Sequence, residues 1–267
     1  MTKSNSEIAY RIGLIGSGAL GLLIKGSVDA GALASASVTS VLSRSGGSLD
    51  HLIENSDIVV EAAGQAALRA HGPAIIAAGK PLVALSSGVL ADDKIAGLLM
   101  GGPGRFIPSA GAIGGFDLID TLRISGTLTN VALHTVKVPS SLLQPWMSES
   151  QKTALEENRT FINVFTGSAR DATRLFPANA NVAATLGVRS IGLDRTRVTI
   201  DADPSTRSTQ HTLVIDSKLG TYQLTFANAP SLANPKSSDL AAFSALHDLG
   251  RLIGQTVALT ATGGSQQ

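Results

Sequence analysis

The chain has 267 residues, enough for one large or two smaller domains around real hydrophobic cores. Its 21 basic and 20 acidic side chains leave a net charge of +1, which argues against a nucleic-acid partner, and aromatics at 4% make a poor platform for stacking bases. The absence of cysteine excludes disulfides and thiolate metal sites.

The first seven residues are polar and lack the apolar core of a secretory signal. The most hydrophobic stretches, such as residues 74–78, are interrupted by Gly, Lys or Pro well short of a bilayer span. The expectation is a cytoplasmic protein with no membrane partner. An apolar strand over residues 11–15 then runs into Gly16, Ser17, Gly18, Ala19, Leu20 and Gly21, a G-x-G-x-x-G followed by a helix-compatible stretch. In a dinucleotide site, the first glycine makes the tight turn. The second admits the diphosphate to the backbone, and the third lets helix pack on strand. All six residues are therefore candidate cofactor contacts, with amides at the new helix's N-terminus facing phosphate.

Further apolar runs at residues 38–42, 57–62, 81–85 and 106–107 alternate with helix-length spacers at 19–30, 66–78 and 92–99. Continuous rather than alternating apolar runs suit strands buried on both faces, so the expected fold is α/β, a Rossmann-type doubly wound parallel sheet. Ligand should sit at the carboxyl ends of its strands, where Gly16, Arg44, Gly64 and Ser86 would gather. The small residues Ala62, Ala63 and Gly64 after the third strand either admit a nucleotide or serve packing. An acid about 20 residues beyond the glycine turn would hold the ribose hydroxyls of NAD, whereas a cation suits a 2′-phosphate. Here the second strand ends in Ser43 and Arg44 with no acid. NADP is expected to be accepted alongside NAD, and preferred if Ser43 and Arg44 take the phosphate; the alternative is a solvated Arg44 stacked on adenine.

Beyond Gly114 and Gly115 the pattern changes. Residues 195–203, 212–216 and 222–226 read as strands, the last two flanking a turn at Lys218, Leu219 and Gly220. A final helix runs from Asp239 to about Leu252 with a stripe of Leu240, Phe243, Leu246, Leu249 and Ile253. Residues 1–120 are expected to form the dinucleotide domain, completed by the C-terminal segment 236–267. Residues 121–235 should form a second, α+β domain with a mixed or antiparallel sheet, for catalysis and dimerisation.

Several segments together carry a family resemblance: the glycine turn, Ser109 to Gly115, Gly167 to Arg170, Pro177 to Leu186, Ile191 to Thr196, Ala202 to Pro204, His211, and Asn234 to Ser238. In that order, over nearly the whole chain, they resemble L-aspartate dehydrogenases. The glycine turn is shared with many oxidoreductases; the Asn181-Val182-Ala183-Ala184-Thr185 and Asn234-Pro235-Lys236-Ser237-Ser238 segments are more particular. The resemblance implies oxidative deamination of L-aspartate with NAD or NADP to iminoaspartate, or after hydrolysis to oxaloacetate and ammonia, and the reverse amination. It also implies cofactor contacts at Ala112 and Asn181, a catalytic His211, and a homodimer supplying iminoaspartate to pyridine nucleotide biosynthesis.

Read from the residues alone, His211 suits a proton carrier near neutrality, though a histidine opening a strand is as well a packing residue. Asn181 could cap a helix or reach the nicotinamide, and Ala112 could serve a tight turn or a close cofactor approach. A dicarboxylate needs cations or amide donors. Lys236 with Ser237 is the first candidate, followed by Arg170 and Lys137; Lys236 could also be a solvated lysine. No metal site is expected. The alternatives are a related imine or amino-acid reductase for another small dicarboxylate, and a non-catalytic dinucleotide sensor.

Overall fold

The computed structural model describes residues 10–157, 159–233 and 238–254 and places them around two five-stranded sheets. The first contains β1 (Tyr10–Ile15), β2 (Ala36–Leu42), β3 (Ile58–Glu61), β4 (Leu82–Ala84) and β5 (Phe106–Pro108), in the order β2-β1-β3-β4-β5 and parallel throughout. Every residue of β3 and β4 is buried, as strands covered on both faces require. The doubly wound sheet read from the apolar runs is present. Its winding reverses between β1 and β3, so the loops leaving those two strands open the crevice in which such sheets bind ligands.

Helices α1 (Ala19–Asp29), α2 (Leu49–Glu54), α3 (Gln65–Ala77) and α4 (Asp93–Met100) make the crossovers. Their starts differ in a way that matters for the site. Ser48 caps α2 and Asp92 caps α4 through side-chain oxygens, whereas α1 and α3 begin at Gly18 and Gly64 with no side-chain cap. The two glycine-started helices are those that follow β1 and β3 at the crevice.

The second sheet contains β6 (Leu128–Lys137), β7 (Ile162–Ser168), β8 (Arg197–Ala202), β9 (Thr209–Ser217) and β10 (Gly220–Asn228), ordered β10-β9-β6-β8-β7. β6 and β8 are parallel and the other neighbours antiparallel, which makes the sheet mixed. α5 (Phe116–Ile124), α6 (Glu149–Glu157), α7 (Ala169–Leu175) and α8 (Asn181–Arg189) accompany it. Ile119, Leu122, Ala172 and Leu186 of these helices share one core with Val131, Leu133, Leu213 and Ile215 of the strands. Ile113, Phe116 and Ile119 already belong to this core, so packing changes hands ahead of the boundary drawn at residue 120. On β6 the period-two alternation buries Val131, Leu133, Thr135 and Lys137 together, which sets a lysine on the inner face.

The last helix, α9 (Leu240–Leu252), returns to the first sheet. Its Ala242, Ala245, Leu246 and Leu249, followed by Ile253, pack with Ile12, Leu14, Ile24 and Val28 of β1 and α1. The expected stripe is corrected in part: Leu240 and Phe243 stay 41% and 51% exposed, and the helix turns its alanine-bearing face to α1. Lys236 and Ser237, the substrate contacts expected first, lie outside the described residues.

Candidate active site

The glycine turn has the shape its sequence requires. Gly16 adopts φ +111°, and a Cβ there would come within 2.8 Å of the Ala62 carbonyl, so this turn packs tightly on the loop after β3. A Cβ on Gly21 would run into the carbonyl of Gly16, which makes glycine the residue that lets α1 start beneath the turn. Gly18 differs from both: its φ is −79°, and a Cβ there would meet nothing within 4 Å. Open space above an uncapped helix N-terminus, with Ser17 and Gly18 exposed, is what a diphosphate needs. The residues present therefore fit a dinucleotide. The Gly16 amide donates to the Leu42 carbonyl at 2.8 Å, which sets Ser43 and an exposed Arg44 beside the turn.

A cavity of about 600 Å³ takes its lining from the segments that follow the strands of the first sheet and from strands of the second. Leu20, Gly64 and Ala112 reach it from the dinucleotide side, and Lys137, Asn181 and His211 from the other. Of the cofactor contacts expected in the loop after β3, Gly64 lines this cavity. The neighbour lining it is Ala62 rather than Ala63, which is exposed and turns its amide inward to Glu61. The Ala112 carbonyl accepts from Asn228 Nδ2 at 2.8 Å and the Gly111 carbonyl from Ser244 Oγ at 2.7 Å, so β10 and α9 both hold this loop.

His211 and Lys137 define the chemistry of the inner wall. On β9, His211 pairs in register with Thr135 of β6, whose hydroxyl engages Nδ1 at 2.9 Å. The ring is 3% exposed and leaves Nε2 as the nitrogen that can meet a ligand. Burial, reinforced by the Lys137 charge, pushes the imidazole down to about 3, so it is neutral near pH 7. Lys137 lies two residues beyond Thr135 on the same face, diagonal to His211. Its ammonium is buried, donates to Asn179 Oδ1 at 2.7 Å, and is pushed down to about 8 by desolvation.

The other candidates sort clearly. Arg170 is tied to Asp194 at 2.6 Å and to Asp93 at 2.8 Å, away from the cavity, where it fastens α7 to the start of α4. Asn181 does not cap α8: its Oδ1 accepts from the Gly88 amide at 3.1 Å and from Gln65 Nε2 at 3.3 Å, which leaves its two N–H bonds for the cavity. Among the described residues, no group of three or more His, Asp or Glu could hold a metal ion.

Two residues that the fold brings to this region, Asn179 and Glu61, were not singled out in the sequence. Asn179 stands in the same Pro177 to Leu186 segment as Asn181, but only the fold turns it onto Lys137. Glu61 ends an apolar strand, and a lone acid closing an otherwise buried strand was the available signal. Lys137, named third after Lys236 and Arg170 as a carboxylate ligand, lines the cavity from the inner face of β6, a placement set by strand register.

This arrangement, a dinucleotide turn facing a buried imidazole and ammonium, agrees with what the chain is similar to. Residues 117–252 match the family model "Aspartate dehydrogenase, C-terminal", and residues 12–100 match "Homoserine dehydrogenase, NAD binding domain". The L-aspartate dehydrogenase of Serratia proteamaculans is 37% identical over 76% of this chain and 78% of its own length. The chain belongs to the L-aspartate dehydrogenase family. The Methanosarcina acetivorans member of that family is 32% identical over 91% of this chain and 97% of its own. The crystal structure of aspartate dehydrogenase from Thermotoga maritima superimposes with a TM-score of 0.68 at 25% identity, covering 91% of this chain and 96% of that one. As the family implies, the cofactor is a pyridine nucleotide. No helix of the described residues is long and apolar enough to cross a membrane.

Proposed function

We propose that this member of the family is an NAD(P)-dependent dehydrogenase of L-aspartate, with His211 as its acid–base group and Lys137 as a carboxylate ligand. The observation that carries this reading is that His211 and Lys137 face the one cavity that Leu20, Gly64, Ala112 and Asn181 also line. Oxidative deamination removes a hydride from Cα and a proton from nitrogen; water then adds to the imine carbon and ammonia leaves, giving oxaloacetate. When bound, the nicotinamide supplies the hydride acceptor, or the donor in the reverse direction. The protein's part is position, charge and protons. Neutral His211 accepts a proton from the substrate ammonium through Nε2, and the Thr135 hydroxyl holds the ring by Nδ1. Two carboxylates entering the cavity raise the basicity of that ring and offset the buried charge of Lys137. Asn181 directs its amide N–H bonds to the nicotinamide end while Gly88 and Gln65 fix its oxygen.

NADP is accepted, and Ser43 with Arg44 supports a preference for it, because β2 ends beside the glycine turn with an exposed guanidinium and no acid. Comparing dissociation constants for the two cofactors tests this, and tenfold tighter NAD binding refutes the preference. The family resemblance supports a homodimer, which light scattering checks. For the activity itself, formation of reduced nicotinamide is followed at its absorbance band over a panel of amino acids, then its consumption with oxaloacetate plus ammonia. Turnover with L-aspartate is the expected result. Turnover confined to neutral or basic amino acids overturns the substrate, and binding without turnover points to a sensor.

A further inference from the structure

Glu61 has no part in the mechanism above, yet it is the fully buried carboxylate at the point where the first sheet reverses its winding. Four donors converge on it. Oε1 accepts from the amides of Ala63 and Gly64, both at 2.7 Å, and from Ser86 Oγ at 2.9 Å; Oε2 accepts from the Ser86 amide at 3.1 Å. Two of the amides precede α3, which begins at Gly64, so the positive end of that helix also faces the group. Three of the four partners are backbone amides, which only donate and so favour the ionised carboxylate, whereas the Ser86 hydroxyl can donate to it or accept from it. Burial is the larger effect and leaves its pKa raised above the usual carboxylate range, while the four hydrogen bonds offset that rise in part.

The groups that Glu61 ties together are walls of the cofactor side. Ala62, Gly64 and Ser86 line the cavity, and the Gly16 turn rests on the carbonyl of Ala62. The Ala63 and Gly64 amides, just ahead of α3, are committed to Glu61, whereas the start of α1 has no side-chain cap and is open to a diphosphate. One anion is therefore built into the protein beside the place where the second is brought by the ligand.

We propose that Glu61 is a positioning residue for the nicotinamide half of the dinucleotide: it locks the loops after β3 and β4 together, and its buried negative charge favours the oxidised, cationic ring over the reduced, neutral one. This rests on the dinucleotide reading above and adds a preference between redox forms. The effect comes from a fixed charge in a wall of low polarity, where Coulomb interactions are less screened than in water. It acts against the positive charge of Lys137, which faces the same cavity and disfavours a cationic ring.

The test is the ratio of affinities for oxidised and reduced dinucleotide, measured by calorimetry and by fluorescence of the reduced form. Glu61→Gln keeps the length, and its carbonyl can still accept from Ala63, Gly64 and Ser86 Oγ, but the charge is gone and the Ser86 amide loses its acceptor. The expected result is a fall of about tenfold in the oxidised-to-reduced affinity ratio, the size of one partly screened charge, with Lys137 and His211 unchanged between the two proteins. An unchanged ratio, or equal weakening of both forms, overturns the proposal and leaves Glu61 a purely structural brace. Should the glutamine variant fail to fold, Glu61→Asp decides: the retained charge must keep the ratio within about twofold of wild type even where both affinities drop, and a tenfold fall overturns the charge role. Wild-type protein that binds neither form would sink the dinucleotide reading itself, an outcome distinct from either of these.

Discussion

Replacing Lys137 by methionine should separate stability from function, with opposite signs. With its pKa lowered from 10.5 to about 8, keeping the ammonium charged in the folded protein at pH 7 costs about 3 kcal/mol. Methionine has a similar length and no charge, so that cost disappears. The hydrogen bond to Asn179 goes with it, a loss of about 1.5–3 kcal/mol for a bond to a charged donor. The net expectation is a protein as stable as wild type or up to about 2 kcal/mol more stable, a rise in Tm of at most about 8 °C for a chain of this size. Substrate binding moves the other way. A buried cation paired with a carboxylate is worth about 2–5 kcal/mol when one partner is truncated, so KM for aspartate should rise at least thirtyfold. Urea unfolding measures the first quantity and initial-rate kinetics the second. A variant destabilised by more than about 2 kcal/mol with an unaltered KM would show that Lys137 is a structural lysine, and the reasoning about the cavity would fail.

Three further outcomes follow from the same geometry. His211→Ala should lower kcat by about 10²–10⁴ with folding intact, as removal of a positioned acid–base group does; near-normal turnover in a folded variant removes the assignment. The buried imidazole also makes stability depend on acid. Unfolded histidine protonates near 6.5 and folded His211 only near 3, so the unfolded chain binds more protons across that window. Stability is then lost as pH falls from about 6.5 toward 3, by about 5 kcal/mol at its lower end, and the difference from His211→Gln across that range isolates the contribution. Finally, two glycines of the turn should part company. Gly21→Ala meets the Gly16 backbone and should cost about 1–3 kcal/mol of stability, while Gly18→Ala meets nothing and should cost about 1 kcal/mol or less yet weaken dinucleotide binding at least tenfold. Equal effects of both on stability would contradict the geometry of the turn.

Much of this molecule was legible before any coordinates. The glycine turn, the buried parallel strands and strands of a second, mixed or antiparallel sheet were read from patterns of period and small residues, because each depends on neighbours in sequence, whereas the parallel β6–β8 pair that makes the sheet mixed was not. The shift in the stripe of α9 shows the limit of that reading: leucine and phenylalanine at helical spacing look like a core face, but the seam with α1 takes alanines, and that choice belongs to the partner helix.

Glu61, Asn179 and Lys137 show the same limit at the site. Each is an ordinary polar residue in its local sequence, and each acquires its character from groups far along the chain. Glu61 meets the Ser86 loop, Lys137 meets Asn179, and His211 meets Thr135, pairs separated by 25, 42 and 76 residues. Local pattern could specify a nucleotide-binding sheet and name a histidine through family resemblance. Which side chains are buried together, and hence which charges are displaced from their ordinary pKa values, was decided only when two sheets closed on one cavity, because desolvation is a property of the surrounding fold and not of the residue.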